Sequence, residues 1–201
     1  MLSFLMIEPG VVQDTIMAND KSKIGLMIEA KSNFPQDGKI IYTITPSAPK
    51  TFSLNFRVPG WANKYTASVG KKHYQGISGE LLKIERKWRS GDVVSISFEM
   101  PIEILTGGFS YPGKIALKRG PQIFAVDKLL NSSVDSIKNL YCPANSIKLT
   151  DARQILPQEW SWKQAYSVPM MNSNKKTNVC LVPFSEAGQS GSELITWIKA
   201  Q

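Results

Sequence analysis

Residues 51–58 read Thr51-Phe52-Ser53-Leu54-Asn55-Phe56-Arg57-Val58, and apolar and polar side chains alternate along the whole stretch. Successive side chains of a β-strand point to opposite faces, so a period of two predicts a strand that buries one face. We therefore predict that the four apolar side chains of this stretch face a core, and that Ser53, Asn55 and Arg57 point away from it.

Similar short runs recur along the chain and are separated by turn residues. Asp37-Gly38 is one such turn, and it predicts a hairpin because glycine accepts the positive φ that hairpin turns require. No segment keeps an apolar 3.6-residue period with caps at both ends, as a helix would. These features predict an all-β fold, an antiparallel β-sandwich of jelly-roll-like type. The further predicted strands are Ile24–Ala30, Lys39–Thr45, Tyr65–Val69, Glu80–Arg86, Asp92–Met100, Lys114–Leu117, Gln122–Val126, Ser146–Leu149, Asn178–Val182 and Glu193–Ile198.

The regularity of the pattern falls along the chain, which predicts more than one part. Residues 1–19 are predicted to be a lead-in or a truncated strand, and residues 20–127 the main sandwich. Residues 128–145 and 151–177 are rich in Asn, Ser, Lys and Pro. Residues 128–201 are therefore predicted to form a smaller, loop-rich β unit, whose last strand returns to the first sheet.

Composition excludes several classes of protein. With 42% hydrophobic and 20% charged residues, the 201-residue chain resembles a globular protein and not a disordered one. No apolar stretch approaches the roughly 18 residues of a membrane span, so no membrane partner is expected. The apolar start ends at Glu8 and Pro9 and has no basic region, so no signal peptide is predicted. Localisation stays open, and a longer parent in the periplasm or outside the cell is compatible with the sequence.

The net charge of +8 comes partly from seven basic residues within residues 63–90. A nucleic-acid site would need aromatic residues interleaved with this charge. The basic residues instead fall at turns and at outward strand positions. They predict a solvated face and no nucleic-acid partner.

The chemistry-bearing residues do not assemble into a predicted active site. The carboxyl pairs Glu99/Glu103 and Glu80/Glu85 are expected to be solvated, and the single histidine, His73, is expected at an exposed hairpin tip. Two cysteines and one histidine are too few for a structural zinc site, so neither a metal nor another cofactor is expected. Cys142 and Cys180 are predicted to be buried free thiols.

The tryptophans separate into two groups. Trp61 and Trp88 stand beside turns at strand ends, where a tryptophan commonly covers a sandwich core. Trp160 and Trp162 are two residues apart, so their rings share one face of an extended chain. They are candidate carbohydrate contacts, because a flat ring can stack on a sugar. The alternative is that they cover an interface between domains.

Five segments resemble the β-L-arabinofuranosidase-like glycoside hydrolases of family 127. They occur in the same order over about residues 24–198 and cover most of the chain. Asn33-Phe34-Pro35-Gln36-Asp37-Gly38 is similar to the family's Tyr-Pro-x-x-Gly hairpin, with Phe34 in place of Tyr. The five are Arg57-Val58-Pro59-Gly60-Trp61-Ala62, Asn33-Phe34-Pro35-Gln36-Asp37-Gly38, Glu85-Arg86-Lys87-Trp88-Arg89-Ser90-Gly91-Asp92, Gly113-Lys114-Ile115-Ala116-Leu117-Lys118-Arg119-Gly120-Pro121, and Leu181-Val182-Pro183-Phe184 followed by Leu194-Ile195-Thr196-Trp197-Ile198.

The resemblance implies that the chain is the C-terminal β-sandwich region of such an enzyme, without its catalytic helical barrel. In that family a zinc-held cysteine nucleophile, further Cys and Glu ligands and an acid/base Glu lie in the barrel. This sequence has neither an adjacent cysteine pair nor a Glu-x-Cys motif. The resemblance therefore implies a chain without catalytic residues and without the family's zinc site.

Two functional hypotheses follow. The first is a non-catalytic accessory scaffold, whose partner is the helical barrel of a parent enzyme that degrades plant-type glycans, or a second copy of the chain. The second is an independent carbohydrate-binding module that uses Trp160, Trp162 or a sheet face. An adhesion module of immunoglobulin-like type rests on fold analogy alone.

Overall fold

The computed structural model describes residues 2–4, 8–143, 147–159, 164–189 and 191–200. Most of them lie in strands of antiparallel sheets, and no α-helix occurs within these ranges, which confirms the predicted all-β class. Two compact units divide the chain, residues 1–101 and residues 102–201.

The described residues of the first unit form nine strands in two sheets. A three-stranded sheet has the order β1-β5-β8, and a six-stranded sheet has the order β2-β3-β4-β9-β6-β7. Between them lies one hydrophobic core, with Phe52, Ile44 and Trp88 among its fully buried side chains. The strands are β1 Leu2–Phe4, β2 Gly10–Met17, β3 Lys23–Ser32, β4 Lys39–Pro46, β5 Lys50–Arg57, β6 Asn63–Val69, β7 Lys72–Gln75, β8 Leu81–Trp88 and β9 Asp92–Glu99.

Strand β5 contains most of the stretch quoted first. Phe52, Leu54 and Phe56 are buried, as their alternation predicts. Ser53 and Asn55 on the opposite face are 7% and 4% exposed, so both faces of this strand are covered. The hydroxyl of Ser53 compensates its burial by donating a 2.8 Å hydrogen bond to the carboxylate of Glu85 on β8.

The described residues of the second unit form one sheet of nine strands, and six of these strands are paired in a closed ring. Strands β11, β18, β13, β15, β16 and β12 form a ring, because β12 pairs with both β16 and β11. Such closure leaves few free edges, as in a small barrel. The strands are β10 Ile102–Thr106, β11 Lys114–Arg119, β12 Gln122–Asp127, β13 Leu140–Cys142, β14 Thr150–Asp151, β15 Tyr166–Asn172, β16 Lys175–Pro183, β17 Leu194–Ile195 and β18 Ile198–Ala200, with 3₁₀ turns at Leu129–Asn131, Ile137–Asn139 and Arg153–Ile155.

The division between the units lies after Pro101, whereas the sequence predicts it after residue 127. The sequence assigns residues 102–127 to the main sandwich, but strands β10 to β12 in this range pair with one another and with β16, β17 and β18 of the second unit. The second unit is therefore as long as the first. In addition, residues 10–17 of the predicted lead-in form a strand that pairs with β3 along its whole length.

Within residues 151–177, which are rich in Asn, Ser, Lys and Pro, Tyr166–Asn172 form a strand that is not among the predicted strands. Strands β15 and β16 pair from Tyr166↔Leu181 to Asn172↔Lys175, so Ser173 and Asn174 make a tight hairpin turn between them. Ser173 has φ +55°, a conformation that hairpin turns use. The predicted strand over residues 146–149 is not formed within the described residues 147–149, and the short strand β14 follows it.

Candidate functional site

The carboxyl pairs named from the sequence lack the features of a glycosidase pair. Glu99 is exposed and forms an ion pair with Lys64 at 2.8 Å, and Glu103 forms one with Lys118 at 3.0 Å. Glu85 accepts the hydrogen bond from Ser53 and lies 3.1 Å from Lys83, and these contacts lower its pKa. A general acid for glycoside hydrolysis needs a raised pKa, so Glu85 is shifted in the opposite direction.

Two buried acidic side chains that the sequence did not single out lie in the second unit. Asp127 is fully buried and its carboxylate accepts hydrogen bonds from the N–H groups of Leu129 and Gly188 and from the hydroxyl of Ser192. Glu186 is 2% exposed, and within the described residues neither of its carboxylate oxygens has a hydrogen-bond partner. Burial raises the pKa of Glu186 to about 7. Both carboxyl groups are therefore enclosed by the second unit and do not face solvent.

The contacts of Asn131 extend this buried polar network. Its side-chain amide donates to the carbonyl oxygens of Asp127 and Cys180, and its oxygen accepts the N–H of Cys180 at 2.8 Å. These bonds connect the 3₁₀ turn after β12 to strand β16. The network is structural, and no sequence pattern marks it, because Asp127 and Asn131 stand in segments that read as an ordinary strand end and a loop.

The side-chain amides of Gln122 and Gln164 are also buried, and they have no hydrogen-bond partner among the described residues. Gln122 lies two residues before Phe124 on β12, so the two side chains point to the same face of the strand. Phe124 belongs to the core enclosed by the ring of strands. Unpaired buried amides in native structures commonly bind an internal water. We therefore interpret the glutamines as structural.

The prediction for the cysteines is confirmed, because Cys142 and Cys180 are both buried free thiols. Burial raises the pKa of both, and that of Cys180 reaches about 12. Within the described residues, no three His, Cys, Asp or Glu side chains are grouped as a metal site would require. In the same ranges, no helix has the length and apolarity to cross a membrane.

The tryptophans beside turns are structural, as predicted. Trp88 is fully buried and its Nε1 donates a 3.0 Å hydrogen bond to the carbonyl oxygen of Phe52. Trp61 stacks on Phe34, with ring centroids 6.1 Å apart. Trp160 and Trp162 lie outside the described residues, so their predicted contact with carbohydrate stays a prediction.

The outer face of the six-stranded sheet has a cavity. Cross-strand pairing places Met27, Ile41 and Val93 on this face, and each is about 40–46% exposed. We call it the outer sheet face. It contains a shallow cavity of 280 Å³. The residues that line this cavity include Ile41, Thr66, Ser68, His73, Ser95 and Ser97. His73 is exposed as predicted, but it lies on strand β7 opposite Ser68 and not at the hairpin tip.

A larger cavity of 600 Å³ lies in the first unit where the β6–β7 and β8–β9 turns meet strand β8. Four basic side chains line it against one carboxylate, and we call it the basic cavity. Its charged residues are Lys71, Lys72, Arg86, Lys87 and Asp92. The sequence predicts a solvated basic face here, and the structure gathers part of that charge around one concave site.

The first unit is similar in sequence to parts of known proteins. Residues 12–100 match the family model described as "Beta-L-arabinofuranosidase, GH127 middle domain". The chain is also 31% identical over 116 residues to a non-reducing end β-L-arabinofuranosidase of Bifidobacterium longum subsp. longum. That alignment covers 53% of this chain and 18% of the relative.

The first unit resembles a GH127 middle domain.

Three solved structures share the fold of the chain. A GH127 β-L-arabinofuranosidase from Geobacillus stearothermophilus superposes with a TM-score of 0.81 over 99% of this chain, at 20% identity. A protein described as a glycoside hydrolase gives 0.72 at 22% identity, over 95% of the chain. A GH127 β-arabinofuranosidase gives 0.69 at 19% identity, over 94% of the chain. The chain spans about one third of the length of each solved structure, that is 33%, 34% and 33%. The matched family model is that of a middle domain, so the C-terminal position that the sequence predicts stays a prediction.

Proposed function

We propose that this chain is a non-catalytic accessory region of a glycoside hydrolase similar to β-L-arabinofuranosidases, and that the reaction takes place in a part of the protein outside these 201 residues. The match of residues 12–100 to the GH127 middle domain is the observation that carries the proposal. The shared fold over 99% of the chain supports it, because the second unit is then included as well.

The geometry of the acidic residues also supports a role without catalysis. Glu99 and Glu103 form ion pairs with lysines, and the carboxyl with the raised pKa, Glu186, is enclosed. A reacting sugar needs two carboxyl groups about 5 to 9.5 Å apart across an open site. Among the candidate carboxyl groups, Glu80 is exposed to solvent, and Glu85, Glu99 and Glu103 each form an ion pair with a lysine.

The proposed partner is a helical catalytic barrel in the rest of a longer protein. The outer sheet face is the docking surface that we propose, because Met27, Ile41 and Val93 expose apolar area there among hydroxyl side chains. Polar interfaces within a chain commonly have this mixed composition. Self-association through the same face is the competing outcome.

Hydrolysis of p-nitrophenyl β-L-arabinofuranoside tests the proposal. We expect no hydrolysis by the 201-residue chain, and hydrolysis by a longer protein that also contains the helical barrel. The substitution Ile41→Lys should weaken co-purification of the chain with a separately expressed barrel, while Ile77→Lys, at an exposed position before β8, should leave it unchanged. Activity of the purified chain alone, free of contaminating enzyme, would contradict the proposal.

A carbohydrate-binding module is the second candidate, and the spacing of Trp160 and Trp162 favours it. Their rings would share one face of an extended segment and could stack on successive sugars. Titration with arabinan-type oligosaccharides should then change the tryptophan fluorescence, and Trp160→Ala should abolish the change. An unchanged spectrum at saturating oligosaccharide removes this candidate.

A further inference from the structure

The basic cavity contains positive charge that the fold does not neutralise. Within residues 63–90, Lys64, Lys83 and Arg86 form ion pairs with Glu99, Glu85 and Asp92. Lys71, Lys72 and Lys87 form none in the described part of the chain, and all three line the cavity and are exposed. Arg89 also forms no ion pair among the described residues, and it does not line the cavity. Three of the four unpaired cations of this region therefore lie at one concave site.

The backbone fixes the positions from which these cations project. Lys71 follows Gly70, whose φ is +58°, in the tight turn that pairs Val69 with Lys72. Lys87 lies on β8, where it pairs with Thr51 of β5. The lysines come from both sheets of the first unit, so they converge on the cavity from different elements.

The carboxylate of the cavity is already engaged. Asp92 accepts the N–H of Arg89 at 2.9 Å, and its oxygen lies 3.6 Å from the guanidinium of Arg86. The guanidinium of Arg86 also lies over the ring of Trp88, 5.3 Å from its centroid. Asp92 therefore closes its turn and orients Arg86, and it leaves the three lysines without a counter-charge. A concave site lined with one sign of charge attracts ligands of the opposite sign.

The volume and lining of the cavity restrict the ligand. A volume of 600 Å³ lies within the range of about 300–1,000 Å³ that is usual for ligand sites. A single-stranded nucleic acid would stack its bases on exposed aromatic rings in addition to its phosphate contacts, but the lining residues have no aromatic side chain, and Trp88 beneath Arg86 is fully buried. Aliphatic Val69 and Val93 and the lysine stems provide the walls instead.

We propose that the basic cavity binds a carboxylated polysaccharide, with the ammonium groups of Lys71, Lys72 and Lys87 pairing with uronate carboxylates. The choice of a glycan among anions rests on the proposed function, since similar proteins act on glycans. The cavity would then hold an acidic part of a plant-type glycan on the accessory region, independently of the bond that the enzyme cleaves.

Binding of sodium polygalacturonate to the 201-residue chain tests this, measured by isothermal titration calorimetry at about 50 mM salt. Fully methyl-esterified polygalacturonate has the same backbone without the charges and serves as the matched ligand. We expect binding of the acidic polymer, at least tenfold weaker binding of the ester, and a fall in affinity with added salt because exposed charges are screened.

Two double variants separate a site from general charge attraction. Lys71→Gln/Lys72→Gln removes two cations of the cavity, and Lys175→Gln/Lys176→Gln removes two exposed cations from the hairpin of β15 and β16. Both lower the net charge by the same amount. We expect the first to weaken binding about fivefold or more, as for two surface ion pairs, and the second to change it less than twofold.

Several results would overturn the inference. Equal losses in both double variants, or no binding of polygalacturonate, would show that the cavity is not a site for this polymer. Equally tight and equally lysine-dependent binding of polyglutamate would indicate an acidic protein segment, and such binding of single-stranded RNA would indicate nucleic acid. Since the measurement is of binding, it can fail while the accessory role in hydrolysis holds, and the reverse.

Discussion

A β-carbon placed on Gly38 would lie 2.1 Å from the carbonyl oxygen of Phe98. The backbone of Gly38 also accepts the N–H of Phe98 at 3.0 Å, so the turn before β4 is held directly against strand β9. The φ of Gly38 is not positive, in contrast to what its place in an Asp-Gly turn predicts. The glycine is needed for close approach, and not for an unusual dihedral angle.

The substitution Gly38→Ala should therefore destabilise the first unit. The added methyl group meets backbone atoms that cannot rotate away, and overpacking of this kind costs about 1–3 kcal/mol. Urea unfolding followed by tryptophan fluorescence measures the change. Gly60→Ala is the control, because a β-carbon there has no atom within 4 Å and φ is not positive. Equal stabilities of the two variants would contradict the predicted clash.

The second prediction concerns Asn131, whose side chain makes three buried hydrogen bonds. Asn131→Ala should lower the free energy of unfolding by about 3 kcal/mol, because the N–H of Cys180 and two carbonyl oxygens lose their partner. Chemical unfolding followed by circular dichroism measures the loss. Asn139→Ala, at an exposed position of the next 3₁₀ turn, should change stability by less than about 0.5 kcal/mol.

The third prediction is a pH dependence of stability that comes from Glu186. Its pKa is about 7 in the fold, against a usual value of 4.5. Between these two pH values the folded chain holds the proton and the unfolded chain does not, so stability falls as pH rises, by about 1.4 kcal/mol per unit at most. The stabilising effect is complete below pH 4.5 and is lost above about pH 7.

Glu186→Gln should remove this slope while it keeps the size and shape of the side chain. Unfolding free energies at several pH values from 5 to 8 measure the difference between the variant and the native chain. Glu159→Gln is the control. Because Glu159 is exposed, the unfolding free energy of this variant should change with pH as that of the native chain does. A native chain whose stability is unchanged from pH 5 to pH 8 would rule out an enclosed, protonated Glu186.

The fourth prediction concerns the thiols of Cys142 and Cys180. Both are buried and both have a raised pKa, so the reactive thiolate is scarce and shielded at neutral pH. Ellman's reagent should react with neither in the native chain and with both in guanidinium chloride. Rapid reaction of one thiol under native conditions would show that its strand opens readily.

Period-two alternation predicted the architecture well, because every second residue is apolar in a strand that buries one face. Phe52, Leu54 and Phe56 are a clear example. The pattern failed where both faces are covered, as at Ser53 and Asn55. It also failed where a strand is polar in composition, as in the β15–β16 hairpin, whose Asn, Ser and Lys residues resemble a loop.

Pairing between strands that are distant in sequence could not be predicted from local patterns. The predicted strands Lys114–Leu117 and Gln122–Val126 carry no local signal of the sheet that they join, and only the partners of β11 and β12 place them in the second unit. The buried carboxyls were missed for a similar reason. Asp127 and Glu186 become special through burial and long-range hydrogen bonds, which neighbouring residues do not encode.

The ring of strands in the second unit is completed by β18, which joins β11 on one side to β13 on the other. During synthesis on the ribosome, the first unit has all its strands as soon as β9 has emerged, because each of its pairings lies within residues 1–101. The second must wait until residues 198–200 leave the exit tunnel. A nascent chain should therefore gain protease resistance in two steps, first when residues 1–101 have emerged and again when residues 198–200 have emerged.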